Sequence, residues 1–439
     1  MTSKKQSIPV ASSFFLSRVF NLMRINNDPI KFFDQCIQKN GNLFKVEFPG
    51  FEFNYLLEPE GIQYVLEKNH INFKKSIVYD PLKLAVGNGL LTSDGAFWKS
   101  QRKTIQPLFN TNFIKEICHD ISVSTDEFFL SLGDGPLDLN KELANLTIDI
   151  ACRAFFATSE VHFSEFISAK TNQINEFMNQ RILMPFIPMW FPLPSHFKFN
   201  RSIGEINERI KALIVLAGQN DSRPSLLSML ANSKSISDET IRDEVLTFLI
   251  AGHETTTNAL SFLLYLLSKY PDVKQAVKEE VALNVTEEHP NYESLQTLTY
   301  TKAVINEALR LFPPAWIISR EALEDDEIMG CFLPKQSVIN IPTFLVQRHE
   351  AFWDAPNEFN PDRFVGDQNR HKFSFLPFGG GPRFCIGMQF AYTEMLIFLV
   401  KLFRFSDFKV LNNDVDLEFL VTLRPKNQLL FELSKRTSS

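Results

Sequence analysis

Three observations along this chain of 439 residues predict a mainly α fold with small β-sheets. An apolar pattern runs from Ser237 to Pro271, long enough for one helix that crosses a whole domain. Helical periodicity dominates from about Trp98 onward. Strand-like runs are short, and the alternating strand–helix repeats of a parallel-sheet fold are missing. At roughly 150 residues per domain the length would suggest two or three domains. No internal repeat or long linker marks a boundary.

Taken in order, LFKVEF (Leu43–Phe48) and FNYLLE (Phe53–Glu58) are the first strand candidates. ILMPFIPMWFPLPSHF (Ile182–Phe197) carries four prolines among bulky apolar residues and cannot be one regular helix. It is expected to be a mobile apolar connector. The long helix begins near Ser237, where Ser237 or Asp238 caps it and Asp238 and Glu239 suit its positive end. Apolar nearly all round after Val245, it should be buried. A second helix ends in YTKAVINEALRLFPP at Pro313 and Pro314. IISR near Arg320 and SVINIPTF (Ser337–Phe344) read as strands.

Apolar residues make up 44% and charged residues 22%, enough for a large core, and the 43 phenylalanines read as core filling. Net charge is −6 with dispersed basic residues, which speaks against nucleic acid as the main partner. The five cysteines (Cys36, Cys118, Cys152, Cys331, Cys385) are odd in number and form no CxxC, so neither a disulfide framework nor a zinc site is suggested. A reducing, cytoplasmic setting fits best. IPVASSFFLSRVF after Lys4 and Lys5 has a weak signal-peptide look, but Arg18 interrupts it. No stretch reaches the roughly 18 apolar residues needed to span a bilayer, so a soluble protein is expected.

Four local signals carry chemistry, and each has a plainer reading. FLPFGGGPRFCIGMQFAYTEM (Phe375–Met395) places the lone Cys385 in a glycine-rich loop at a helix start. It is either a buried structural cysteine or a thiolate ligand stabilised by backbone N–H groups, with Gly387 letting something flat approach. AGHETTT (Ala251–Thr257) puts a glycine costing about 1 kcal/mol relative to alanine in mid-helix. That suggests a functional kink, with space beside Ala251 and Gly252. Glu254 and Thr255 supply a carboxylate and a hydroxyl that together relay protons; the plainer reading is a polar stripe facing another helix. Glu307 and Arg310 in NEALR are an i,i+3 pair, usually of little worth at a surface. Here they sit among apolar residues, and a buried guanidinium needs partners; Arg363 in FNPDRF is a third candidate. Trp98 and Arg102 in WKSQR share one helix face, either as a cation–π pair or as donors for a buried anionic ligand.

These signals, in this order, resemble the cytochrome P450 superfamily of haem-thiolate monooxygenases. Phe378, Gly381, Arg383, Cys385 and Gly387 match its FxxGxRxCxG signature. Ala251, Gly252, Glu254 and Thr255 match AGx[DE]T; Glu307 and Arg310 match ExxR; FNPDRF matches the segment that supplies the completing arginine; Trp98 and Arg102 match WxxxR. The resemblance covers essentially the whole chain and is to soluble, bacterial-type members without a membrane anchor. It implies one triangular domain over residues 1–439, with haem b between the long helix and the cysteine loop. It implies Cys385 as the axial thiolate to iron, with Phe378 and Gly252 at the cofactor. Trp98, Arg102, Arg320 and Arg383 are expected to hold the propionates. Thr255 and Glu254 are expected to deliver protons, and Glu307, Arg310 and Arg363 to keep the cysteine loop in register.

The implied reaction takes an apolar substrate, dioxygen and two electrons to a hydroxylated product and water. No flavin or nicotinamide domain is visible, so a separate donor such as a ferredoxin or flavodoxin with its reductase is implied. Lys99, Lys103, Arg370 and Lys372 fall on segments expected near the docking face. Ala315, Trp316 and Ile317 fall where the family lines its pocket, and the connector Ile182–Phe197 and the loop Lys74–Leu90 should roof it. RLFPPAWIISR and VQRH are similar to carotenoid-ring hydroxylases and, less closely, to fatty-acid hydroxylases. A carotenoid or other isoprenoid is the favoured substrate. A fatty acid is the alternative, with Lys74 and Lys75 as its basic anchor. A peroxide-driven peroxygenase, a non-catalytic haem binder and a non-haem enzyme with Cys385 as nucleophile remain as competing readings.

Overall fold

The computed structural model describes residues 6–11, 15–156, 161–183, 191, 193–217, 225–232, 236–366 and 369–435. Two compact units emerge. One comprises residues 1–80, 315–358 and 369–385; the other comprises 81–314, 359–368 and 386–439.

The first unit is built on a five-stranded sheet. Its strands run Leu43–Phe48, Phe51–Leu56, Val338–Ile341, Ile318–Ala322 and Phe73–Lys75, all pairs antiparallel except the second. The second strand starts two residues before FNYLLE because the hairpin turn is Pro49–Gly50. Phe48 pairs with Phe51, and Gly50 after Pro49 takes a positive φ (+83°) that glycine adopts without strain. A three-stranded sheet joins Gln6–Ser7, Cys331–Leu333 and Asp326–Ile328. Phe44 and Tyr55 stack across the hairpin at 5.5 Å in the core of this unit.

The second unit is helical. Its centre is the helix Asp238–Lys269 of 32 residues, about 48 Å long. Ser237 Oγ accepts the Thr240 amide at 3.2 Å, Asp238 and Glu239 occupy the first turn, and Pro271 follows at the other end. Around it pack the helices Leu139–Phe156, Thr299–Leu311 and Met388–Phe405. Phenylalanine does fill the core. Phe155 meets Phe248 at 5.9 Å and Phe390 at 5.3 Å, and Phe262 stacks on Phe312 at 4.4 Å. Two small sheets complete the unit: Ser406–Val410 with Leu430–Lys435 and Leu137–Asp138, and the hairpin Leu417–Phe419 with Leu423–Pro425.

Two sequence expectations need amending. The stretch 74–90 is not a plain loop: it contains the helix Asp80–Val86, with Asp80 and Pro81 in its first turn, where both residue types are favoured. The ends of the proline-rich connector belong to the helices Val161–Leu183 and Pro194–Ala217, while residues 184–190 and 192 lie outside the described residues. No described helix is long and apolar enough to cross a membrane.

Candidate active site

In the first unit, the cysteine loop is a chain of tight turns. The Cys385 amide donates to Phe378 O at 3.0 Å, Gly379 N–H to Leu376 O at 3.0 Å, and Phe384 N–H to Gly381 O at 3.0 Å. Gly379 and Gly381 have φ of +74° and +66°. At Gly381 the requirement is absolute, because a Cβ there would lie 1.8 Å from Leu66 O. The fully buried Gln347 fastens the loop by accepting the Leu376 amide at 2.7 Å. The result is an exposed thiol: Cys385 is accessible, whereas the other four cysteines are buried. Burial pushes the Cys36 thiol up to about 11 and the Cys118 thiol up to about 12, and raises Cys152 and Cys331 as well, so these four stay protonated. The plain reading of Cys385 as a buried structural residue therefore fails.

The same unit presents Ala315, Trp316 and Ile317 just before the strand Ile318–Ala322. Ala315 O accepts Thr343 Oγ1 at 2.6 Å and Trp316 O accepts the Phe344 amide at 3.2 Å. The backbone is pinned while Ala315 is exposed and the Trp316 and Ile317 side chains are half-buried, so these residues are not core. Arg320, on that strand, is 5% exposed, and its guanidinium donates to Ser319 O at 2.9 Å. It has no carboxylate partner among the described residues.

In the second unit, the long helix is buried from Asp243 to Leu267 with four exceptions: Ala251, Gly252, Glu254 and Thr255. These share one face. A Cβ on Gly252 would meet nothing within 4 Å. The helix stays α-helical through the motif; in place of the expected kink, Thr255 Oγ1 donates back to Ala251 O at 2.7 Å. Glu254 Oε1 accepts from Thr422 Oγ1 at 2.8 Å, and Thr422 Oγ1 accepts from Asn258 Nδ2 at 3.2 Å. Burial raises the Glu254 carboxyl above its ordinary range, opposed by the Thr422 hydroxyl and the Arg424 charge. The intervening His253 turns the other way, to Thr147 Oγ1 at 2.9 Å, and burial lowers it to about 4.

Glu307, Arg310 and Arg363 come together in this unit. Arg310 and Glu307 are fully buried, bonded at 2.7 and 2.8 Å through both carboxylate oxygens. Arg363 Nε lies 3.4 Å from Glu307 Oε1, which also accepts the Asn360 amide at 2.9 Å. This is no surface pair: one carboxylate orders the FNPDRF segment and neutralises a buried guanidinium.

The sequence matches the family described as Cytochrome P450 over residues 11–431. This chain belongs to the cytochrome P450 family. Among its relatives, it is 32% identical to cyclooctatin synthase of Streptomyces melanosporofaciens, over 78% of this chain and 77% of that protein. It is 26% identical to pentalenene oxygenase of Streptomyces avermitilis, over 92% and 93%. It is 27% identical to the chloroplastic protein LUTEIN DEFICIENT 5 of Arabidopsis thaliana, over 84% and 68%.

Cytochromes P450 are monooxygenases that bind haem with a cysteine thiolate on the iron, and the residues here suit that group. Cys385 is the accessible thiol, and Gly387 beside it leaves open space where a Cβ would meet nothing within 4 Å. Arg320 is a buried cation with no carboxylate partner among the described residues. Trp98 and Arg102 lie half-buried on the helix Gly95–Ile105, with Arg102 Nε on Gln106 Oε1 at 3.0 Å; Arg383 is half-buried in the cysteine loop. Sequence reasoning missed Thr422 and Asn258 beside Glu254. It also missed Asp243 and Glu244, whose carboxylates accept the Asn88 and Leu90 amides at 2.8 and 3.0 Å. No motif marks these partners, which are far apart along the chain.

Proposed function

We propose that the two units work as one P450 domain over residues 1–439, with Cys385 as the thiolate that would hold haem iron, and that the enzyme hydroxylates a large apolar isoprenoid, a carotenoid or terpene. Haem held by the Cys385 thiolate would supply the activation of dioxygen. The remaining work falls to side chains. Arg320, Arg383, Trp98 and Arg102 would hold the cofactor's carboxylates, and Phe378 and Gly252 would contribute to its site. Ala251, Ala315, Trp316 and Ile317 form apolar walls that orient substrate and keep water out. Thr255 holds a hydroxyl proton against Ala251 O and releases it when that back-bond opens. Glu254, whose pKa is raised by burial, holds a proton in reserve next to it.

The observation that carries the substrate class is the state of the lysines that would anchor a fatty acid. Lys74 Nζ is bonded to Glu321 at 2.9 Å, and Lys75 Nζ sits 4.0 Å over the Tyr79 ring. A carboxylate head group would have to displace Glu321. The relatives named for cyclooctatin, pentalenene and lutein, all isoprenoids, support the same class. The test is a titration followed by the Soret spin-state shift. Micromolar shifts with carotenoids or terpenes are expected; shifts with fatty acids alone would reverse the assignment.

Electrons come, in this reading, from a separate acidic ferredoxin or flavodoxin steered by Lys99, Lys103, Arg370 and Lys372. Lys372 already pairs with Glu67 at 3.1 Å, and Arg370 lies 5.1 Å over Trp353, which leaves Lys99 and Lys103 as the stronger attractors. Turnover with such a donor and salt-sensitive reduction support this; turnover with peroxide alone would favour a peroxygenase. Five cysteines that form no disulfide suit a cytoplasmic location.

A further inference from the structure

The carboxyl of Glu254 does not hang in the open face of the long helix. It is tied to a different element, the turn of the hairpin formed by Leu417–Phe419 and Leu423–Pro425. Thr422 in that turn is 7% exposed and Asn258, one helical turn beyond Glu254, is 2% exposed. The hairpin is itself pinned, since the Leu423 amide donates to Pro314 O at 2.9 Å.

The direction of these bonds matters. The Asn258 amide nitrogen is a donor only, so it occupies a lone pair of Thr422 Oγ1. The Thr422 hydrogen is thereby left to point at Glu254 Oε1. That oxygen is always an acceptor, and a carboxylic proton placed on it would face another hydrogen. We infer that Thr422 and Asn258 are positioning residues that fix Glu254 so that it binds and exchanges its proton through Oε2 alone. The inference rests on the proposed role of Glu254 and deepens it: proton delivery becomes one-ended, with the hairpin setting the end.

The charged surroundings are few. From the hairpin, Arg424 acts on Glu254 and is itself paired with Glu418 at 2.8 Å. On the packed helices the nearby titratable groups are turned to other partners: His253 to Thr147 on Leu139–Phe156, and Glu394 on Met388–Phe405 to Thr256. Thr422 is therefore the neutral group with most influence on this carboxyl, and removing its hydroxyl leaves the local charges unchanged.

The test uses the full-length haem protein. The protonated-carboxyl infrared band of Glu254 is assigned by its loss in Glu254→Gln and titrated against pH. In Thr422→Val, which keeps side-chain volume, the midpoint should rise by about one pH unit, the size of one hydrogen bond to a carboxylate. The pH profile of product formed per electron should move the same way, and Thr422→Ser should restore both. Asn258→Leu, which leaves the hairpin untouched, should also raise the midpoint. A wild-type midpoint in Thr422→Val, or in Asn258→Leu if the former fails to fold, overturns the inference. Wild-type product per electron in Glu254→Gln would instead sink the relay role of Glu254, and the infrared midpoints would still judge Thr422.

Discussion

Glu307→Ala should destabilise the protein through one identifiable defect. Glu307 and Arg310 are fully buried, so the variant leaves a guanidinium in the core without its carboxylate. Breaking a buried pair in this way costs about 3–5 kcal/mol. The Asn360 amide also loses its acceptor and Arg363 its ion pair, which adds about 1–3 kcal/mol. Against a typical total of about 5–15 kcal/mol, that is a large fraction. Thermal melting would understate it. At about 2.1 cal/mol/K per residue the unfolding entropy of the whole chain is about 0.9 kcal/mol/K, so 4 kcal/mol moves Tm by only about 4–5 °C. Denaturant unfolding is the better assay, combined with a Glu307→Ala/Arg310→Met cycle. The double variant should recover part of the loss, because the stranded charge is gone. A single variant with unchanged midpoint and full haem content would refute the reasoning.

Cys385→Ser should abolish the thiolate absorption of the reduced carbon-monoxide complex; an unchanged spectrum would remove Cys385 as ligand. Thr255→Ala should lower product per electron by roughly 100-fold, the lower end of what a positioned proton donor contributes, while donor oxidation continues and peroxide accumulates. Gly381→Ala should fail to form the cysteine loop, seen as lost haem and lowered stability, whereas Gly387→Ala, with open space around it, should keep wild-type stability. His253, at about 4 in the folded state, binds protons less readily than in the unfolded chain, where its pKa is about 6.5. Its contribution to stability should be intact above about pH 6.5 and fade as pH falls toward 4. His253→Leu should flatten that limb of a stability–pH curve.

Local patterns were readable where one segment carries its own constraints. Ser237 and Pro271 bracket the long helix, the alternation in Leu43–Phe48 gives its strand, and Glu307 with Arg310 reads as a buried pair from its apolar flanks. The start at Phe51 was not readable, because it is set by pairing with Phe48 across Gly50 and not by composition. Neither was the helix Asp80–Val86, whose seven residues are too few for a periodic signal. The site splits the same way. The motifs give Cys385, Glu254 and Thr255, but Thr422 lies 168 positions from Glu254, and Asn88 lies 155 positions from Asp243. Only the folded chain makes such residues neighbours.

The five-stranded sheet has a consequence for how the protein is made. Asn54 donates to Val338 O, 284 positions later, and the strand Phe51–Leu56 is one edge short until Val338–Ile341 exists. At about 5–20 residues per second a ribosome takes about 15–60 s to supply that partner. Throughout that interval the hairpin Leu43–Leu56 exposes an unpaired apolar edge, the kind that recruits other chains. The closing of this sheet, and with it the setting of the cysteine loop that ends at Cys385, must come late in synthesis. Slower translation or a shortage of chaperones should therefore lower the yield of correctly formed enzyme more than it lowers the yield of chain.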